Sequence, residues 1–219
     1  MNLNDREKES IVKFDKWAPI YERGLWGFYF RVAYQKVLAL AGKYISHDSK
    51  VLDIGSGTGE LTFLLSGKAP KGEIVGLDIS QQMIEASQKK KLERNADNVK
   101  FIASRANSIP YKDGHFDLVF CLNALHHFPD HPSFFKEINR VLKKGGALVL
   151  LDLINDNIIR KTWVLISKKI IFREKEVEYH SKRELLGLLS NAGLEPEIQK
   201  SFLFFTLISI SKKAADYPR

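Results

Sequence analysis

Between residues 50 and 152, short apolar runs alternate with longer segments in which apolar residues recur every three or four positions, a rhythm that predicts strands and helices in turn. Residues 51–54, 73–77, 99–102, 116–121 and 147–151 read as strands. Helices are expected over about 59–67, from Ser80 to about Lys91 with Ser80 as N-cap, and from Pro132 to Leu142. Pro70-Lys71-Gly72, Asp113-Gly114 and Lys144-Gly145-Gly146 punctuate the series as turns or breaks. Such alternation implies a parallel sheet covered by helices on both faces.

The flanks follow other patterns. Residues 8–45 carry Ile11, Phe14 and Trp17-Ala18 at helical spacing, a break at Pro19 and an aromatic stretch from Leu25 to Tyr34. Residues 156–176 mix Arg160, Lys161, Lys168, Lys169, Arg173 and Lys175 with large apolar residues, and a helix there would place Ile159, Trp163, Ile166 and Ile170 on one stripe. Ser181 starts a helix that stops at Asn191-Ala192-Gly193. A strand at 194–199 and the apolar run 202–210 are joined too closely for a parallel crossover, so they should pair antiparallel. The expected fold is a doubly wound α/β domain with a mostly parallel seven-stranded sheet and an antiparallel C-terminal edge strand. One domain over 1–219 divides into a helical cover (1–48), a core (49–152), an insertion or lid (153–180) and a C-terminal helix with its strand pair (181–219).

Composition narrows the class. At 219 residues and 44% hydrophobic content the chain can bury one sizeable core. The charged N-terminus and the lack of any apolar run of about 18 residues predict neither a signal peptide nor a membrane span. Cys121 is the one cysteine, which rules out a disulfide framework or a multi-thiol metal centre; no metal is expected, and a reducing cytoplasm is the default. The net charge of +8 suits anionic partners, but the cations are spread along the chain and nucleic acid is not favoured.

The chemistry concentrates at Val51-Leu52-Asp53-Ile54-Gly55-Ser56-Gly57-Thr58-Gly59, a strand entering a turn with three alternating glycines, followed by Gly76-Leu77-Asp78. Glycines let a ligand approach the backbone, and an acid at the end of the next strand can accept hydrogen bonds from a ribose diol. A phosphate-cradling loop would need a Gly-Lys-Ser/Thr sequence, and residues 55–62 hold no lysine. A dinucleotide fingerprint would need a third glycine where Glu60 stands, and a carboxylate in the first helical turn would repel a pyrophosphate. A cofactor without phosphate fits better.

These residues resemble the class I S-adenosylmethionine-dependent methyltransferases of the small-molecule group that includes the ubiquinone and menaquinone C-methyltransferases. The resemblance extends through Gly76–Ser80 with Met83, Phe101–Pro110 with Asp113–Asp117, Asn123–Phe128 and Glu137–Gly146. It implies S-adenosylmethionine as cofactor and S-adenosylhomocysteine as product. Asp78 would hold the ribose hydroxyls, Gly55 and Gly57 would admit the methionine part, and Asp53 would favour its positive end directly or through water. Ile79 and Met83 would sandwich the adenine, with Arg105 and Ala106 at its edge; relatives commonly carry aspartate where this chain has Arg105, which would stack on adenine or turn to solvent. Ser56, Gly59 and Asn123 are expected beside the cofactor, as is Tyr21, from a Phe14-Asp15-x-x-Ala18-x-x-Tyr21 segment that often lies over it. His126 and His127 are candidate bases or general pocket residues.

The implied reaction is in-line methyl transfer to a small or lipophilic acceptor. The alternatives are an NAD-dependent oxidoreductase, a non-catalytic cofactor-binding subunit and an RNA methyltransferase. The 156–176 stretch would be a substrate-selecting lid, a cover helix or a peripheral contact with an anionic membrane, and Tyr179-His180 would reach the same pocket. The residues after Tyr21, Glu22-Arg23-Gly24-Leu25-Trp26-Gly27, do not reproduce the His-Arg segment of the quinone enzymes.

Overall fold

The computed structural model describes residues 5–17, 24–156, 158–166 and 177–214. Seven strands form one sheet: β1 (Lys50–Ile54), β2 (Glu73–Asp78), β3 (Val99–Ala103), β4 (Phe116–Leu122), β5 (Leu142–Leu153), β6 (Leu194–Phe202) and β7 (Thr206–Lys213), in the order β3-β2-β1-β4-β5-β7-β6. The first five pair in parallel, and β7 runs antiparallel between β5 and β6. The helices are α1 (Asp5–Trp17), α2 (Gly24–Ala41), α3 (Glu60–Lys68), α4 (Gln81–Arg94), α5 (His131–Val141), α6 (Ile158–Ile166) and α7 (Lys182–Asn191).

Strand parity divides the core in two. Leu52, Ile54, Val119, Cys121, Leu148 and Leu150 face α5 and α7, which bury Phe134, Phe135, Ile138, Leu185 and Leu189 against them. Val51, Leu118, Phe120, Val149 and Leu151 face the other way, toward Ala33 and Val37 of α2, Leu61 and Leu65 of α3 and Ile84 of α4. Each large side chain fully buried in these layers contributes about 1.5–3 kcal/mol. Local signals set the helix starts. Ser80 accepts from the Met83 amide, Asp130 accepts from the Ser133 amide, and Ser181 and Glu184 form a reciprocal capping box.

Three boundaries differ from expectation. β5 starts at Leu142, not Ala147: Gly145 takes φ +73° and the register with β4 jumps from Phe116↔Leu142 to Leu118↔Ala147, so residues 143–146 detour without ending the strand. The C-terminal hairpin turns at residues 203–205, with Leu203 at φ +51°, so Phe202 ends β6 instead of starting β7. An apolar run hides a turn when the turn itself is apolar. In the 156–176 stretch, α6 covers Ile158–Ile166, but Ile159 and Ile166 of the expected stripe are 64% and 42% exposed, so they do not cover the core. Residues 167–176 lie outside the described residues.

Candidate functional site

β1 lies between β2 and β4, where the order of connections reverses, so a crevice opens beyond its carboxyl end. The chain leaves it through Gly55, Gly57 and Gly59 at φ +70°, +53° and +89°. A Cβ on Gly55 would sit 2.6 Å from the Ala124 Cβ, so the turn needs glycine for space as well as conformation. The amides of Gly55 and Ser56 donate to the Leu77 carbonyl at 2.8 and 3.1 Å, which ties the turn to β2. At the end of β2, Asp78 accepts from the Gly57 amide through Oδ2 and from the Ser80 amide through Oδ1, both at 2.9 Å. Burial raises its carboxyl pKa above the usual range, opposed by the amides of Ser80, Gly57 and Ile79 and reinforced by Asp15.

A cleft of about 820 Å³, counted out to its open side, lies over this turn. Its floor is Ile54, Gly55, Gly57 and Asp78; Ile79, Met83 and Ala106 form one wall, and Asn123, Ala124, His127 and Phe128 another. Glu7, Ser10 and Phe14 of α1 close it from above. Polar contacts fasten α1 there: Arg105 pairs with Glu7 at 2.8 Å, and the Ser80 hydroxyl donates to Asp15. Phe14 meets His127 edge-on, ring centroids 4.9 Å apart.

Asn123 follows β4 at φ +54°, a strained conformation for a residue with a side chain. The Tyr29 hydroxyl donates to its Oδ1 at 2.9 Å, while its Nδ2 is buried beside the cleft with no partner among the described residues. Behind His127, its ring centroid 4.1 Å away, stands His126, held by Asp152 at the end of β5. His126 Nδ1 donates to Asp152 Oδ1 at 2.7 Å, and the His126 amide donates to Oδ2 at 3.1 Å. This arrangement fixes the tautomer and leaves the Nε2 lone pair as the ring's proton acceptor. Tyr179 stacks on His126 at 4.9 Å, its buried hydroxyl without a partner among the described residues. Burial, then Asp152, pushes its phenol pKa far up, so at neutral pH the hydroxyl is a donor.

Of the residues expected from sequence, the cleft brings together Gly55, Gly57, Asp78, Ile79, Met83, Ala106, Asn123 and His127. Asp53 is elsewhere: it is 2% exposed beneath the turn and accepts from the Thr62 hydroxyl of α3 at 2.7 Å. Burial drives its carboxyl pKa up to about 7, with Asp78 adding to the rise and Thr62 opposing it. The Ser56 hydroxyl is buried and unpartnered, near the space where a Gly76 Cβ would stand, and Gly59 packs on the Phe101 ring as the N-cap of α3. Arg105 neither stacks along the cleft nor turns to solvent but holds Glu7. Glu60 is turned to Lys90 and Arg94 at 3.1 and 2.6 Å, so its charge is neutralised on α4, and its expected repulsion of a pyrophosphate loses its geometric basis. Ala18 and Tyr21 lie outside the described residues.

Sequence reading missed Glu7, Tyr29 and Asp152. Asp152 carried a signal, a lone carboxylate at the carboxyl end of an apolar strand. Glu7 and Tyr29 carried none, because their partners are far along the chain.

A family profile described as a methyltransferase domain matches residues 45–193. The chain is 39% identical over 103 residues to demethylmenaquinone methyltransferase of Lactococcus lactis, covering 47% of this chain and 41% of that protein. To the enzyme of the same name from Staphylococcus carnosus it is 32% identical over 156 residues, covering 69% of this chain and 64% of the relative. The matched stretches thus span between two fifths and two thirds of these curated relatives. Among solved structures, a SAM-dependent methyltransferase from Aquifex aeolicus superposes with a TM-score of 0.65 at 21% identity, over 97% of this chain and all of that one; at this identity the likeness shows the fold.

Proposed function

The chain belongs to the class I S-adenosylmethionine-dependent methyltransferases, on a domain match covering more than half its length, and from that premise we propose that it methylates a small or lipophilic acceptor whose nucleophile must lose a proton. The observation that carries the cofactor reading is Asp78, a carboxylate fixed by two turn amides on the floor of the cleft. It suits a ribose diol, and the apolar walls at Ile79 and Met83 suit an adenine. The unpartnered Asn123 amide and the positive-φ glycines suit a polar amino-acid portion approaching the backbone. Bound S-adenosylmethionine supplies an electrophilic methyl carbon on a sulfonium, so the protein's task is to align the acceptor and keep water out.

His126 is the candidate base. Asp152 orients it from behind the cleft-lining His127, and the Tyr179 ring stacks on it. A hydroxylated ring, as in a reduced demethylated quinone, suits a base so oriented, and the L. lactis and S. carnosus relatives are named for demethylmenaquinone, the oxidised form of such a ring. No described helix is long and apolar enough to cross a membrane. Ile158 and Ile159 of α6, 76% and 64% exposed, with Leu203 and Phe204 exposed at the hairpin turn, support peripheral contact with a lipid surface where a lipophilic acceptor resides.

The test is transfer of a labelled methyl group from S-adenosylmethionine into lipid-soluble and water-soluble metabolite fractions. Label should enter the lipid-soluble fraction. His126→Gln should lower kcat by about 10²–10⁴-fold while leaving the cofactor Kd unchanged, and Asp152→Asn should reproduce part of that loss. An unchanged kcat in His126→Gln would remove the base from the mechanism.

A further inference from the structure

Beside the cleft, three side chains outside the methyl-transfer reading converge. His131 Nδ1, Glu178 Oε2 and His180 Nε2 lie within 4.8 Å of one another. Each is aimed there by its backbone. His131, the first residue of α5, is buried, and its Nε2 donates to the Leu125 carbonyl at 2.9 Å; that bond fixes the tautomer and leaves the Nδ1 lone pair facing the other two. Glu178 and His180 are two residues apart in an extended segment whose alternate members, Val177 and Tyr179, are buried against Leu153. Alternation therefore puts Glu178 and His180 on the same side. His180 Nε2 lies 2.7 Å from His131 Nδ1, and Glu178 Oε2 lies 3.9 Å from it.

We propose that His131, Glu178 and His180 form a binding site for a divalent transition-metal ion, Zn²⁺ foremost. Two imidazoles and one carboxylate are the donor set such ions prefer, whereas Mg²⁺ and Ca²⁺ favour all-oxygen cages. Three protein ligands leave a further coordination position for water. A backbone carbonyl on the far nitrogen of a ligating histidine is the outer contact that orients such rings, and His131 has it already.

The ion would tie the start of α5 to the 177–180 segment. The Glu178 amide in that segment donates to the His126 carbonyl at 3.1 Å, and its Tyr179 stacks on His126, so the site would brace the segment that packs on His126. The inference does not depend on which acceptor is methylated.

Equilibrium dialysis with Zn²⁺ and visible absorption with Co²⁺, both on the full chain, test it. The native protein should bind a single equivalent of Zn²⁺, give the intense absorption of low-symmetry Co²⁺ and melt at a higher temperature with Zn²⁺ present. His180→Ala should weaken binding at least about a hundredfold and Glu178→Gln at least about tenfold, since even outer partners of ligating histidines are worth about 10–100-fold. His47→Ala, at an exposed histidine, should change nothing. Absence of saturable binding to the native protein, or binding undiminished in both Glu178→Gln and His180→Ala, overturns the proposal. Glu178→Gln alters an exposed carboxylate and leaves the fold intact, so binding undiminished in that variant alone overturns the proposal where His180→Ala fails to fold.

Discussion

At about pH 8, Asp53→Asn should melt roughly 5–10 °C above the native chain, and below about pH 4 the two should melt together. Asp53 is buried beneath the glycine turn, and its carboxyl pKa stands at about 7 in the folded protein. In the unfolded chain an aspartate titrates near 3.9. Between these values the folded state holds a proton that the unfolded state has lost, so the proton favours folding. That contribution is complete below about pH 4 and is lost as pH rises through about 7. A gap of about three pKa units corresponds to about 4 kcal/mol for ionising Asp53 in place, of which asparagine should recover about 2–4 kcal/mol. The asparagine carbonyl can still accept from the Thr62 hydroxyl. Thermal melts of both proteins from pH 4 to pH 8 check the result through the slope across that window. A native curve as flat as the variant's would show that Asp53 is not held in this way. The positive end of the proposed S-adenosylmethionine above the turn would favour the ionised carboxylate, so the stabilised variant should also bind that cofactor more weakly.

The second large effect concerns affinity. Asp78→Ala should weaken binding of S-adenosylmethionine at least about a hundredfold, since two hydrogen bonds to an ionised group are worth about 1.5–3 kcal/mol each. The substitution also leaves the Gly57 and Ser80 amides without their acceptor, which loosens the turn. Equilibrium dialysis with labelled cofactor measures the change, and circular dichroism checks that the sheet survives. Affinity within a few-fold of native would place the ribose elsewhere.

The parallel core was legible because each of its strands is a short apolar run set off by turn residues, and the turn because its chemistry lies within nine consecutive residues. The roles of single side chains were less so, for a physical reason. Glu60 was expected to face a ligand, but it pairs with Lys90 and Arg94, which only the packing of α4 on α3 brings near. Arg105 finds Glu7 almost a hundred positions away, a partner no local pattern reveals. Asp53 could have been placed by parity: with Val51 it faces α2 and α3, so beside Leu52 and Ile54 it had to lie on the opposite side of β1. The convergence of His131, Glu178 and His180 escaped because the three side chains come from a helix start and a segment distant in sequence. The hairpin turn at 203–205 was invisible to hydropathy because its side chains, the exposed Leu203 and Phe204 among them, carry no polar signature.

The cofactor proposed for the cleft over Gly55 and Asp78 is S-adenosylmethionine. The most direct measurement is the melting temperature of the native protein with S-adenosylhomocysteine and, separately, with NAD. A saturable rise with S-adenosylhomocysteine, absent in Asp78→Ala and absent with NAD, is the predicted result; a rise with NAD and none with S-adenosylhomocysteine would contradict it.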